Sequence, residues 1–150
     1  LSSIYEENLA VGRPTIQSST TGSNFASRAV DGNFGESGDF GTTYSQTEVT
    51  RSPFWEVDLG ASQFIYQVMV NLVPGEFELS DFYILVSDDP FTSSNLASVL
   101  ANPNVDSYYF EDFNNFAAAD VFGNGRYVRI QRAGVDTQLT LGEVRVSGIA

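Results

Sequence analysis

Three residue types are absent from this 150-residue chain, and each absence removes a class of chemistry. Without cysteine there are no disulfides, no thiolate nucleophile and no Cys-based zinc site. Without histidine there is no Ser-His-Asp triad and no imidazole metal ligand. Without lysine, all 7 basic residues are Arg, set against 19 acids for a net charge of −12. Such a surface repels phosphate backbones and anionic membranes, which argues against nucleic-acid binding and membrane insertion. No run of eighteen apolar residues offers a membrane-spanning helix. There is also no initiator Met and no signal-type apolar leader, so the chain reads as one module, residues 1–150, excised from a larger secreted protein.

What is present is the composition of a folded domain, 42% hydrophobic and 13% aromatic. Strand patterns dominate. Trp55, Val57 and Leu59 alternate with Glu56 and Asp58, the signature of a half-buried strand. A second strand is expected over 64–73, ending at a Pro74-Gly75 turn, and a third over 82–87 before Asp88-Asp89-Pro90. A Gly123-Asn124-Gly125 turn is expected to precede a strand over 126–132, with a last strand over 137–146. Within 107–116 the pattern places Tyr109, Glu111 and Phe113 on one face, with Tyr108, Phe110 and Asp112 on the other. Short helical turns are expected near 95–100 and at 26–30. Many short strands separated by Gly, Pro, Asn and Asp, with no βαβ rhythm, predict an all-β antiparallel sandwich.

The last strand carries an inconsistency with a consequence. Leu139 and Leu141 have one parity, Val144 and Val146 the other. All four reach one core only if an extra residue intervenes, so a bulge is expected at Gly142-Glu143. It re-aims an acid.

Five segments, NLAVGRPTIQSS (8–19), ASRAVDGN (26–33), SPFWEVDLG (52–60), GRYVRIQ (125–131) and LTLGEVRVSG (139–148), occur in the order found in discoidin-type domains. These are also called coagulation factor V/VIII type C domains, and the chain most resembles their F-type (fucose-binding) lectins and related carbohydrate-binding modules. The resemblance implies a discoidin-like jelly-roll β-sandwich of about eight antiparallel strands. It implies a non-catalytic module that binds a glycan or polysaccharide, tethered to a catalytic or adhesin domain. It also implies a structural Ca²⁺: carboxylate oxygens from Asp31 and Glu143, backbone carbonyls from Arg28, Asn33 and Gly142, and the carbonyl and hydroxyl of Thr42. That is about seven oxygens, a calcium-like set. Thr43 could replace Thr42, and Glu36 or Asp39 could join. The residues themselves are consistent with this, since a hard cation needs carboxylate and carbonyl oxygens on a loop that glycines allow to curl.

The fucose pocket of that family does not carry over. Its one His and two Arg fall at Ser45, Val73 and Glu78, where no guanidinium fork is available. Aromatic rings and hydroxyl partners nearby define an alternative glycan site: Phe40 or Tyr44 as a stacking platform, with Ser45, Gln46, Arg51, Glu76 and Glu78 around it. Two other functions compete with this reading. One is adhesion to a protein or cell surface without sugar specificity. The other is catalysis by the acids Glu76, Glu78 and Asp81, which sequence proximity alone does not support, so the chain is read as no enzyme.

Overall fold

The structure, a computed structural model, describes residues 7–32, 44–72, 79–113 and 116–149. Among them run β1 (Glu7–Asn8), β2 (Thr15–Gln17), a 3-10 turn (Ala26–Val30), β3 (Ser45–Gln46), β4 (Phe54–Asn71), β5 (Leu79–Ser87), α1 (Leu96–Ala101), β6 (Asp106–Phe113), β7 (Phe116–Arg132), β8 (Thr140–Leu141) and β9 (Glu143–Ile149). The main sheet has the order β1-β9-β4-β7-β5-β6, with β2 also paired to β4, and β3 pairs separately with β8. Every pairing is antiparallel.

The sandwich arises because β4 and β7 are long and irregular. The β4–β7 register is interrupted between Asp58 and Gln63, where Gly60 takes a positive φ of 89°, and again between Ile65 and Gln67. Up to Asp58, β4 pairs with β2; beyond Gln63 it pairs with β9. The second irregularity also switches parity: Trp55, Val57, Leu59 and Ile65 are buried at odd positions, Val68, Val70 and Leu72 at even ones. The inward residues of both halves join one core with Phe82, Ile84 and Val86 of β5, Val128 and Ile130 of β7, and Val144 and Val146 of β9.

Several expected elements are found as expected. Asn95 caps α1, its Oδ1 accepting from the Ser98 N–H at 3.0 Å. In β6, Tyr108 and Phe110 pack against the core while Tyr109 is 50% exposed. Others differ. The strands expected at 55–59 and 64–73 are one strand, and the Pro74-Gly75 turn lies outside the described residues. The expected Gly123-Asn124-Gly125 turn is absent: β7 runs straight through it, pairing these three residues with Ile65, Phe64 and Gln63. Gly125 is there for packing, because a Cβ would overlap Val86 Cγ1 and lie 3.2 Å from Ile65 Cδ1.

Nor is Glu56 on a wetted face. It is buried, and Arg129 reaches it through Nη2 at 2.9 Å and Nε at 3.0 Å. Arg129 lies between the rings of Phe54 and Phe91, 4.0 and 4.5 Å from their centroids. Burial pushes the Glu56 carboxyl up and the Arg129 guanidinium down from their ordinary ranges, and their mutual attraction opposes both shifts.

Two substitutions check this packing by denaturant unfolding. Gly125→Ala should cost about 1–3 kcal/mol by overpacking against Val86; an unchanged midpoint would show that the close approach is not there. Glu56→Leu, which strands the Arg129 charge, should cost about 3–5 kcal/mol, and a neutral result would place the guanidinium in water.

Candidate functional site

The site forms where the last strand meets the loop after the 3-10 turn. β8 ends at Leu141 and β9 begins at Glu143, with Gly142 between them donating its N–H to the Asn71 carbonyl at 2.9 Å. This break is the expected bulge. Leu139, Leu141, Val144 and Val146 are all buried, and Glu143 is fully buried too. The partner segment is held by its own core contacts. Trp55 Nε1 donates to the Ala26 carbonyl at 2.9 Å, Gly12 N–H donates to the Val30 carbonyl at 2.9 Å, and Ala26, Ala29 and Val30 are buried. Gly32 then adopts φ +85°, a left-handed turn that suits glycine.

That turn delivers the Gly32 N–H to Glu143 Oε2 at 2.7 Å. The Asp31 N–H and carboxyl also contact the Glu143 carboxylate. Desolvation, with Asp31 adding to it and the Gly32 hydrogen bond opposing, pushes the Glu143 carboxyl up to about 9. Among the described residues, Glu143 Oε1 is buried without a hydrogen bond, and so is Oδ1 of Asn71, its cross-strand partner. Two abutting carboxyl groups and two orphaned buried oxygens are a donor set suited to a hard cation. No third acid joins Asp31 and Glu143 among the described residues.

Of the six expected metal ligands, the structure therefore brings Asp31, Gly142 and Glu143 together. It places Arg28 on the adjoining 3-10 turn, where its side chain donates to Asn24 Oδ1 at 2.8 Å. Asn33 and Thr42 lie outside the described residues, as do Thr43, Glu36 and Asp39. Asn71 was not anticipated. Its signal was its place at the end of a strand, directly before a loop, but register with Glu143 could not be read without the fold.

The expected glycan residues separate. Ser45 is fully buried, and Gln46 nearly so. Gln46 Nε2 donates to Thr140 Oγ1 at 3.0 Å, and the Gln46 N–H donates to the Asn24 carbonyl at 3.1 Å. A ligand-facing role does not fit either placement, because both side chains are buried where β3 pairs with β8. Tyr44 is half-buried and Arg51 exposed. Phe40, Glu76 and Glu78 lie outside the described residues. Asp81 is engaged elsewhere, accepting from the Tyr109 hydroxyl at 2.6 Å, which with neighbouring acids pushes that phenol up to about 12. Arg51 borders a groove of about 670 Å³ between segment 50–54, Gln17–Ser18 and the start of α1.

A comparison with curated protein sequences found no match. Solved structures do match over nearly the whole chain. A fucose binding module of Streptococcus pneumoniae, SpX-3, is 27% identical with a TM-score of 0.77, covering 93% of this chain and 96% of that one. The lectin domain of lectinolysin, solved with Lewis B antigen, is 27% identical with a TM-score of 0.79 over 96% and 98%. Chitosan-binding module 1 from a chitosanase/glucanase of Paenibacillus sp. IK-5 is 26% identical with a TM-score of 0.72 over 95% and 99%. These neighbours are carbohydrate-binding modules, and the last derives from an enzyme. The fold they share with this chain is the discoidin-like β-sandwich. The family model described as "NedA-like, galactose-binding domain" matches residues 28–130. The chain thus belongs to the F5/F8 type C family, among its NedA-like, galactose-binding domains.

Proposed function

We propose that this chain is a non-catalytic glycan-binding module of an extracellular protein, with its ligand loops braced by a structural calcium ion. The observation that carries the reading is the near-complete superposition on lectin and carbohydrate-binding modules at 26–27% identity. Tyr44 and Arg51, with Phe40, Glu76 and Glu78, would contact the glycan, whereas the buried Ser45 and Gln46 would not. Calcium would be held by the carboxylates of Asp31 and Glu143 and the carbonyls of Arg28 and Gly142, with Asn33 and Thr42 completing the set. The orphaned Oε1 of Glu143 and Oδ1 of Asn71 support it. The ion would supply charge neutralisation and cross-linking of the loop to β9, and no chemistry on the ligand.

An adhesion role has one observation in its favour. Phe64 and Phe122, 37% and 66% exposed, each sit edge-to-face with Tyr66 at centroid separations of 5.1 and 6.1 Å. Three adjacent rings at the surface are a feature of docking faces.

Two measurements test the reading. On a glycan array in calcium buffer, the protein should bind a defined set of saccharides and lose that binding in chelator; a blank from folded, calcium-loaded protein would shift the assignment to adhesion. In thermal unfolding, calcium at about a hundredfold above its Kd should stabilise by about 2.7 kcal/mol, a rise of about 5–10 °C for a domain this size. Glu143→Gln should abolish the calcium response, and a full response in that variant would remove Glu143 from the site.

A further inference from the structure

The groove beside Arg51 is built rather than incidental. Its two walls are pinned by one buried amide: Gln131 Nε2 donates to the Ser52 carbonyl at 2.9 Å and to the Ser94 carbonyl at 2.8 Å. Arg129 Nη1 adds a bond to the Ser93 carbonyl at 2.7 Å. Both side chains are buried. Ser52 itself is held in a left-handed conformation, φ 45°, with its N–H donating to the Gly134 carbonyl at 2.9 Å. Backbone strain of this kind in a non-glycine residue persists where the surroundings over-determine it, and it concentrates at ligand sites. A groove fixed in advance loses little ordering entropy when occupied.

What sets the groove apart is a cation. Among the described residues no acid lines it, as none lines the smaller grooves beside Phe25 and Phe91, but this one carries a guanidinium. The lining is hydroxyl and amide groups, the apolar side chains of Phe54, Leu96 and Ala97, and one charged side chain, Arg51. Among the described residues Arg51 has no hydrogen-bonding or ion-pairing partner, whereas Arg126 is matched to Asp58, Arg129 to Glu56, and Arg132 to the Ser80 and Gln138 carbonyls. An unmatched guanidinium presents a planar fork that fits a carboxylate bidentately. The volume of about 670 Å³ suits a short oligosaccharide. A long polyanion would meet the net charge of −12 beyond the groove.

We propose that this groove is the module's glycan subsite and that it takes a saccharide bearing a carboxylate, a uronate or sialate unit, anchored on Arg51. The inference rests on the glycan-binding reading above and specifies its ligand class.

Titration calorimetry tests it with oligosaccharides containing galacturonate, glucuronate or sialate, each beside its carboxyl-reduced counterpart. At least one acid should bind about tenfold or more tighter than its reduced form. Arg51→Gln, at an exposed position and with an unchanged melting temperature, should erase that preference. If acid and reduced forms bind equally, or if Arg51→Gln keeps the preference, the subsite is wrong while glycan binding stands. If the folded, calcium-loaded protein binds no glycan on the array, both fall together.

Discussion

A fully buried carboxyl group, Glu143, ties the last strand to a turn 111 residues earlier, and the end of the sandwich where the two segments meet is organised around it. Its position follows from the single break at Gly142. Without that break, either the two leucines of 139–141 or the two valines of 144–146 would face water. The same shift that rescues the core drives an acid inward. The cost of burying it is met only in part by the Gly32 N–H, since Oε1 remains unpaired and Asp31 stands against it. A divalent cation of the kind proposed would answer all three features at once: it would pair the orphan, offset desolvation and turn the repulsion between two carboxylates into shared coordination.

A second buried polar device works on the outer face of β4 and β7. Glu56, Arg129 and Gln131 form a connected set. Buried ion pairs are weak sources of net stability, because desolvation offsets much of the attraction. This one acts instead through geometry. Arg129, sandwiched between Phe54 and Phe91, and Gln131 below it reach the carbonyls of Ser52, Ser93 and Ser94. Two segments far apart in sequence are thereby held at a fixed separation by side chains of one rigid strand, which is how a loop groove acquires a defined shape.

How much of this was legible in the sequence depended on whether the signal was local. The bulge could be read because it is a conflict of parity within eight residues. The alternation of Tyr108 to Asp112 and the Asn95 cap are local in the same sense. Gly123-Asn124-Gly125 misled because a turn tripeptide and a strand needing a glycine for close packing look alike until Val86 is placed beside Gly125. Glu56 misled because alternation assumes one wet face, and here the outer face is covered by segment 90–95. Ser45 was placed by alignment to a family pocket and Gln46 by its loop neighbourhood, whereas both are buried where β3 pairs with β8. Asn71 and Gln131 were invisible for the same reason: their roles are cross-strand relations, which no window of sequence contains.

The distribution of charge then separates two tasks. Acids converge at the junction of Asp31 and Glu143, where a cation would be structural. Among the described residues no acid lines the Arg51 groove. In a chain with a net charge of −12, a groove whose one charged lining residue is an unmatched Arg runs against composition. Electrostatic screening confines each field to about 8 Å at physiological ionic strength. The two regions can therefore hold opposite signs on one small sandwich, as the proposed cation site and the proposed glycan groove require.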